Sequence, residues 1–381
     1  MSSSNDSDGI VPLPTIQGAP LEASLLSIAS VLTVFGNLGT LAAFWVDRSL
    51  RQKPSNLFLV SLSAADFLMG LFVLPLRAME TALGYWLLGE VPCMFLTFFA
   101  NIALTVAIYM ITAISVDRFL LVSKDYSRYL AIVSLKSVRI TILSLWGLVI
   151  LSTIVEMILW GTDALPPPFP VNFYFACLPP VKLNQPFLMG IFVFGFFIPL
   201  TIMTVCSLGF MLHLRKRLKG KIHAAGEFST AVSDTSGTAR RTAWTTVASS
   251  APTRGTVVAT HGLAPPEQPV NDGASTASGV EGNGTETRET RRRTVLRNRY
   301  LKPAITMAAL LAVFVACTLP YLLIAGIISP ICPTCYTYQT RVHIANLMFA
   351  NSCINPILYA ATQSKIRDFY RTHVFRICRR R

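Results

Sequence analysis

Four polar groups stand where an apolar sequence makes them costly: Asp117-Arg118 at the end of the run Cys93 to Val122, Asp66 in Ser63-Ala64-Ala65-Asp66, Asn37 beside Gly36, and Asn355 in Asn355-Pro356-Ile357-Leu358-Tyr359. At depth in hydrocarbon no water solvates such groups, so they pair, face other helices or serve a function. The chemistry on offer is exchange of partners between charges, not the making of bonds. Asp117-Arg118 reads in two ways. It is an interfacial anchor, with the arginine reaching toward headgroups, or a switch whose buried carboxylate holds the arginine until a cavity on that membrane face draws it away. Pro356 frees a backbone carbonyl inside an apolar run and so makes a hinge at which Tyr359 can swing.

Seven apolar runs must position these groups. A helix rises about 1.5 Å per residue, so about 20 residues cross a hydrocarbon core of roughly 30 Å. The runs are Leu21 to Val46, the run that holds Asp66 and ends at Pro75, Cys93 to Val122, Ser137 to Trp160, Gln185 to Leu212, Pro303 to Ile328 and Tyr338 to Thr362. Hydrophobic residues make up 52% of the chain and charged residues 14%, with a mean hydropathy of +0.52, which excludes an ordinary water-soluble fold. The expected fold class is therefore an all-α membrane protein, a seven-helix transmembrane bundle. It divides into an outer amino terminus (1–20), helices one to five (21–213), a long third loop (214–300), helices six and seven (301–362), and a surface helix with tail (363–381).

The net charge of +14 suggests nucleic acid, but its placement argues otherwise. Thirty of the 33 Lys and Arg residues fall on one side of the spans; only Arg77, Lys182 and Arg341 fall on the other. By the positive-inside rule the amino terminus is outside and the tail inside, at the plasma membrane. The basic surface then faces anionic lipid and an intracellular protein partner, not nucleic acid. Residues 1–20 lack the basic start and short apolar core of a cleaved signal peptide and are expected to remain. Asn5-Asp6-Ser7 is a glycosylation sequon on the outer side; Asn283-Gly284-Thr285 is hidden by this topology. Lys219 to Arg288 has too few large apolar residues to bury a core and is expected to be disordered. The basic clusters flanking it contact headgroups, or extend helices toward an acidic partner, or both. Ser364 to Arg376 reads as a helix lying on the membrane with Ile366, Phe369 and Tyr370 on its apolar face, and Cys378 beyond it as a palmitoylation site.

Arg77 and Glu80 lie one helical turn apart and either pair with each other or leave Arg77 to a ligand. Glu156 faces the pocket or the outer headgroup layer. Trp146 is a packing residue, and Ser123 to Lys136 a basic loop. Of eight cysteines, Cys93, Cys177, Cys332 and Cys335 fall at the oxidising outer face, where two disulfides are expected. Cys332-Pro333-Thr334-Cys335 imitates half of a zinc site, but no second ligand pair is nearby.

Cys93, Asp117-Arg118-Phe119 and Asn355-Pro356-Ile357-Leu358-Tyr359, in order on their spans, resemble the rhodopsin-like G-protein-coupled receptors over nearly the whole chain outside the long loop. Phe44-Trp45-Val46-Asp47-Arg48-Ser49-Leu50-Arg51, Asp66-Phe67-Leu68, Trp86-Leu87-Leu88-Gly89 and Asn351-Ser352 look most like amine receptors, especially histamine receptors of the third and fourth subtypes. The resemblance implies pairing of Cys93 with Cys177, and a small Cys332–Cys335 loop similar to that of muscarinic receptors. It implies a sodium and water site at Asp66, Asn37, Ser352 and Asn355, although Ala107 stands where the family supplies a serine. It also implies coupling to a heterotrimeric G protein through Asp117, Arg118, Asn355, Pro356 and Tyr359, with no cofactor and no enzyme activity.

The departures bear on the ligand. The amine-binding aspartate of such receptors would fall seven residues after Cys93, where this chain has Ala100, and an ammonium buried without a carboxylate partner is strongly disfavoured. Thr318 replaces a tryptophan, Ser207 a tyrosine, and Tyr300 sits where an acid often restrains the arginine. A different small-molecule ligand would then be contacted by Asn101, Arg77, Glu156, Tyr321 or Arg341 around Ala100, or the receptor would idle with basal activity. The last span has no lysine to hold retinal, and no repeat of broken half-helices marks a transporter. A non-signalling scaffold is the remaining alternative.

Overall fold

The computed structural model describes residues 18–162, 172–216, 302–328, 331–332, 335 and 337–374. Asn5, Asn283, Tyr300, Cys378 and almost all of the 214–300 loop lie outside the described residues. Every regular element among the described residues is helical: α1 (Pro20–Val46), α2 (Asn56–Leu83), α3 (Glu90–Ser123), α4 (Tyr126–Ile132), α5 (Leu135–Gly161), α6 (Pro186–Lys216), α7 (Lys302–Tyr321, continued by a π segment, Leu322–Ile328), α8 (Tyr338–Ala350), α9 (Asn355–Thr362) and α10 (Ser364–Phe369).

Local chemistry sets where these helices begin and end. Pro20 opens α1, where its missing N–H costs nothing, and Glu22 in the first turn complements the helix dipole. Ser134 Oγ caps α5 by accepting from Ser137 N (3.1 Å), and Thr337 Oγ1 caps α8 by accepting from Thr340 N (3.2 Å). Gly84 closes α2 at φ 80°, a conformation that a Cβ would penalise. Within α2 the residue four before Pro75 lies in a widened π segment, Met69–Val73; Pro199 stands in the same relation to Val193–Phe197 in α6. A proline ring collides with the carbonyl four residues back, and the widened turn accommodates it.

Among the described residues, six helices (α1, α2, α3, α5, α6 and α7) are long and apolar enough to cross a membrane. The seventh crossing is divided: α8 and α9 flank a short 3-10 turn, Asn351–Cys353. Together they make the expected seven-helix bundle. Large apolar side chains such as Phe35, Trp45, Leu143, Leu151, Phe194 and Leu208 point outward, where lipid solvates them. Inside, α3 runs between two apolar clusters. Leu62, Val106, Met110, Met203 and Tyr359 belong to one, and Val73, Leu74, Trp86 and Ala103 to the other. Trp146 is more than packing: its Nε1 donates to Ser61 Oγ (2.8 Å), tying α5 to α2.

Two expectations need correction. The basic loop between the third and fourth spans contains a helix, α4, and Tyr129 on that helix is buried. The apolar face of the tail helix also does not simply lie on lipid. Ile366 is wholly buried in the bundle, and the Tyr370 hydroxyl donates to Gly36 O (2.5 Å) and lies 3.1 Å from Thr40 Oγ1 on α1. An amphipathic pattern marks which residues avoid water. It does not distinguish a lipid neighbour from a helical one.

Candidate functional site

Three polar clusters are strung along the bundle. At the face where α3 ends, Asp117 is only 3% exposed, although it sits within about two turns of the helix end at Ser123. Its Oδ1 accepts from Tyr129 Oη (2.9 Å) and Ser55 Oγ (3.0 Å), two hydroxyls that are themselves 2.9 Å apart. Its Oδ2 faces Arg118 Nε at 3.4 Å. The Arg118 side chain is 18% exposed, so the pair has one buried and one half-open member. Burial and the Asp117 carboxylate push the Tyr129 hydroxyl up to about 12, so it stays a donor throughout the physiological range. The anchor reading is thereby weakened, because the carboxylate is fixed inside the protein and does not face headgroups. Ser55 and Tyr129 were not singled out in the sequence; the only signal was Asp125, an N-cap residue type, immediately before Tyr126.

Midway along the bundle Asp66 Oδ2 accepts from Asn355 Nδ2 (2.7 Å). Asn37 donates to Thr33 O (2.9 Å) and to Ser352 O (3.4 Å), so the four expected residues do converge across α1, α2 and the α8–α9 junction. Asp66 Oδ1, Asn37 Oδ1 and Ser63 Oγ are buried without a hydrogen-bond partner among the described residues. Oxygen donors of this kind suit a hard cation, and Ala107 on α3 contributes none. Tyr359 is wholly buried on α9 with its hydroxyl unpartnered among the described residues. Pro356 packs against Gly36, where an added Cβ would lie 2.9 Å from its Cγ.

At the opposite face the disulfides Cys93–Cys177 and Cys332–Cys335 are both formed. Beneath the first lies a cavity of about 190 Å³, to which Arg77, Ala100, Asn101, Tyr321 and Arg341 contribute as expected. Lys182 also lines it; sequence reading placed this residue on the outer side without giving it a role. Arg77 takes the pairing with Glu80 that their spacing offered, at the edge of the cavity. Its Nη1 bonds Glu80 Oε2 (2.6 Å), its Nε donates to Asn346 Oδ1 (3.0 Å) and its Nη2 to Val342 O (3.1 Å), while the side chain still borders the cavity. Glu156, offered as a pocket residue, stands behind the wall: it accepts from Asn101 Nδ2 (2.7 Å) and lies 3.4 Å from Lys182 Nζ. It faces the bundle, not headgroups. Thr318 Oγ1 and Ser207 Oγ are buried without partners among the described residues.

Seven membrane-crossing segments, with a charge pair at one face and a ligand-sized cavity under a disulfide at the other, have the anatomy of a seven-helix receptor. The family model described as 7 transmembrane receptor (rhodopsin family) matches residues 36–359, and the chain belongs to that family of G-protein-coupled receptors. Similar chains include the probable G-protein coupled receptor No18 of Amphibalanus amphitrite, 26% identical over 359 residues, which are 93% of this chain and 89% of that receptor. The alpha-2B adrenergic receptor of Rattus norvegicus is 30% identical over 196 residues, 51% of this chain and 41% of its own. Galanin receptor type 1 of Homo sapiens is 32% identical over 193 residues, 49% of this chain and 54% of its own. The match thus spans about half of either of these last two receptors.

Proposed function

We propose that the chain is a plasma-membrane receptor, amino terminus outside, that passes occupancy of the disulfide-face cavity, or spontaneous fluctuation, to a heterotrimeric G protein. The observation that carries this reading is Asp117, with one oxygen fixed by Tyr129 and Ser55 and the other facing Arg118. Because Asp117 retains two donors when Arg118 departs, the arginine can be handed to a partner without stranding a bare buried carboxylate. An outward shift of α7 and a swing of Tyr359 at the Pro356 hinge would open the face on which Arg118 is received, a shift between two pre-existing populations. The G protein then releases GDP and takes up GTP. Sodium, implied by the family resemblance, would be held by Asp66 with Asn37 and Ser352 and would supply a positive charge there.

Resemblance to histamine and muscarinic receptors supports an amine-like relative but not an amine ligand, since similarity reaches an adrenergic and a galanin receptor alike. Ala100 in the cavity wall speaks against an ordinary biogenic amine. The Thr318 and Ser207 hydroxyls, buried without hydrogen-bond partners among the described residues, favour a second reading, a receptor with weak restraints and ligand-independent activity. Nucleotide exchange by purified G proteins, with the intact chain and with Arg118→Ala, tests the proposal. Exchange should occur with the intact chain and fall with the variant while surface expression persists; silence across all G-protein classes with a folded receptor rejects coupling.

A further inference from the structure

The cavity on the disulfide face contains an ammonium that the chain itself supplies. Lys182 and Asn101 both line it, and no Asp or Glu appears among its described lining residues. The Lys182 Nζ donates to Asn101 Oδ1 (2.7 Å) and lies 3.4 Å from Glu156 Oε1, while Asn101 Nδ2 donates to Glu156 Oε2 (2.7 Å). Helix α3, helix α5 and the turn before α6 thus close a ring of one cation, one amide and one carboxylate. From the cavity, the ammonium and the amide screen Glu156, whose side chain is 9% exposed.

These groups make a site for a cation of one kind. An ammonium has three N–H donors and no acceptor, so it suits a cluster of acceptor oxygens that carries one negative charge. Asn101 Oδ1 and Glu156 Oε1 are such a cluster. Glu156 Oε1 has no hydrogen-bond partner among the described residues, so the ammonium is the charge it faces. Without that cation the carboxylate would be buried beside an amide alone, and an uncompensated buried charge is strongly destabilising. The site therefore demands a cation at the point where Nζ stands, on the border of the cavity.

The segment that delivers the lysine is fixed on both sides. Cys177, a few residues before it, is tied to Cys93 on α3 by the disulfide. Pro179 and Pro180 restrict the backbone that follows, Lys182 N donates to Pro179 O (3.0 Å) in the turn Pro180–Leu183, and Asn184 Oδ1 accepts from Phe187 N (3.2 Å) where α6 begins. A donor on so constrained a stretch loses little freedom on pairing, and its tether gives it an effective concentration of about millimolar or more. A free amine must exceed that to take its place.

We infer that Asn101 and Glu156 form a binding site for a primary ammonium and that Lys182 fills it from within the chain, a tethered cation standing where a free amine would otherwise dock. This rests on the reading of the cavity as the receptor's ligand site and names the occupant of its polar end.

The test uses the full-length receptor in lipid nanodiscs, read by thermal melting and ligand-observed NMR, with nucleotide exchange read separately. Lys182→Ala deletes a fragment with the shape of propan-1-amine, which is charged at neutral pH, and propan-1-ol is the neutral probe. Lys182→Ala should melt about 5 °C below the intact chain, propan-1-amine at about 50 mM should recover at least half of that loss, and propan-1-ol in matched salt should recover none. The intact chain should respond to neither probe. Lys182→Met covers the case in which the alanine variant does not fold: it keeps most of the stem and strands the carboxylate, so adding Glu156→Gln to it should raise the melting temperature. Equal effects of amine and alcohol, equal stabilisation of the intact chain by the amine, or a Lys182→Met, Glu156→Gln double variant that melts below Lys182→Met alone, overturns the assignment. Amine-specific rescue without nucleotide exchange upholds the assignment and counts against G-protein coupling. Exchange without rescue does the reverse.

Discussion

Replacing Tyr129 with phenylalanine removes one hydroxyl from the pair that grips Asp117 and changes little else, since the ring stays buried in α4. The bond at stake is 2.9 Å long and ends on a carboxylate that is 3% exposed. While Arg118 faces Asp117 the carboxylate is compensated, and the lost bond resembles a neutral one, at about 0.5–1.5 kcal/mol. Once Arg118 leaves, the same bond serves an uncompensated buried charge, at about 1.5–3 kcal/mol. The difference of about 1 kcal/mol disfavours the released state, which corresponds to about a fivefold smaller active population. Tyr129→Phe should therefore lower basal nucleotide exchange about fivefold, and Ser55→Ala should act in the same direction. The assay is basal GTP-analogue uptake by G protein mixed with purified receptor in nanodiscs, normalised to folded receptor. Unchanged or increased exchange in a well-folded Tyr129→Phe protein would refute the view that these hydroxyls stabilise the freed carboxylate.

Other outcomes follow from the same geometry. Breaking Cys93–Cys177, which closes 84 residues, should lower stability by about 4–5 kcal/mol in the chain-entropy estimate, against about 1.5 kcal/mol for Cys332–Cys335, which closes 3; thermal melting of the two Cys→Ser pairs measures the contrast. Trp146→Phe deletes the 2.8 Å bond to Ser61 and should destabilise the bundle by about 1 kcal/mol in the same assay, with no change in ligand affinity. Gly36→Ala places a Cβ 2.9 Å from Pro356 and should cost about 1–3 kcal/mol, read as a lower melting temperature and reduced surface expression.

The runs of apolar residues and the polar groups inside them were legible in the sequence, because lipid imposes the same length and polarity rules on every span. The Arg77–Glu80 pair was legible too, since a separation of three is a local property of a helix. What connects distant elements was not. Arg77 meets Asn346 across 269 positions, and Asn101 meets Lys182 across 81, and neither side of either contact carries a pattern that names the other. The face on which Glu156 sits was similarly hidden, because an all-apolar helix has no polar side to orient it. The seven-residue α4 went unseen for a related reason: a helix of two turns inside a basic connection has too short a period to read.

The hydroxyl of Tyr370 reaches the backbone of α1 across 334 positions, and Ser352 and Asn37 meet across 315. Synthesis delivers α1 before these partners, and α1 meets α2 soon after, with Ser30 Oγ donating to Gly70 O (2.8 Å), so the later elements add their bonds to a helix already partly in place. The α8–α9 junction and the tail helix complete a seat that α2 begins.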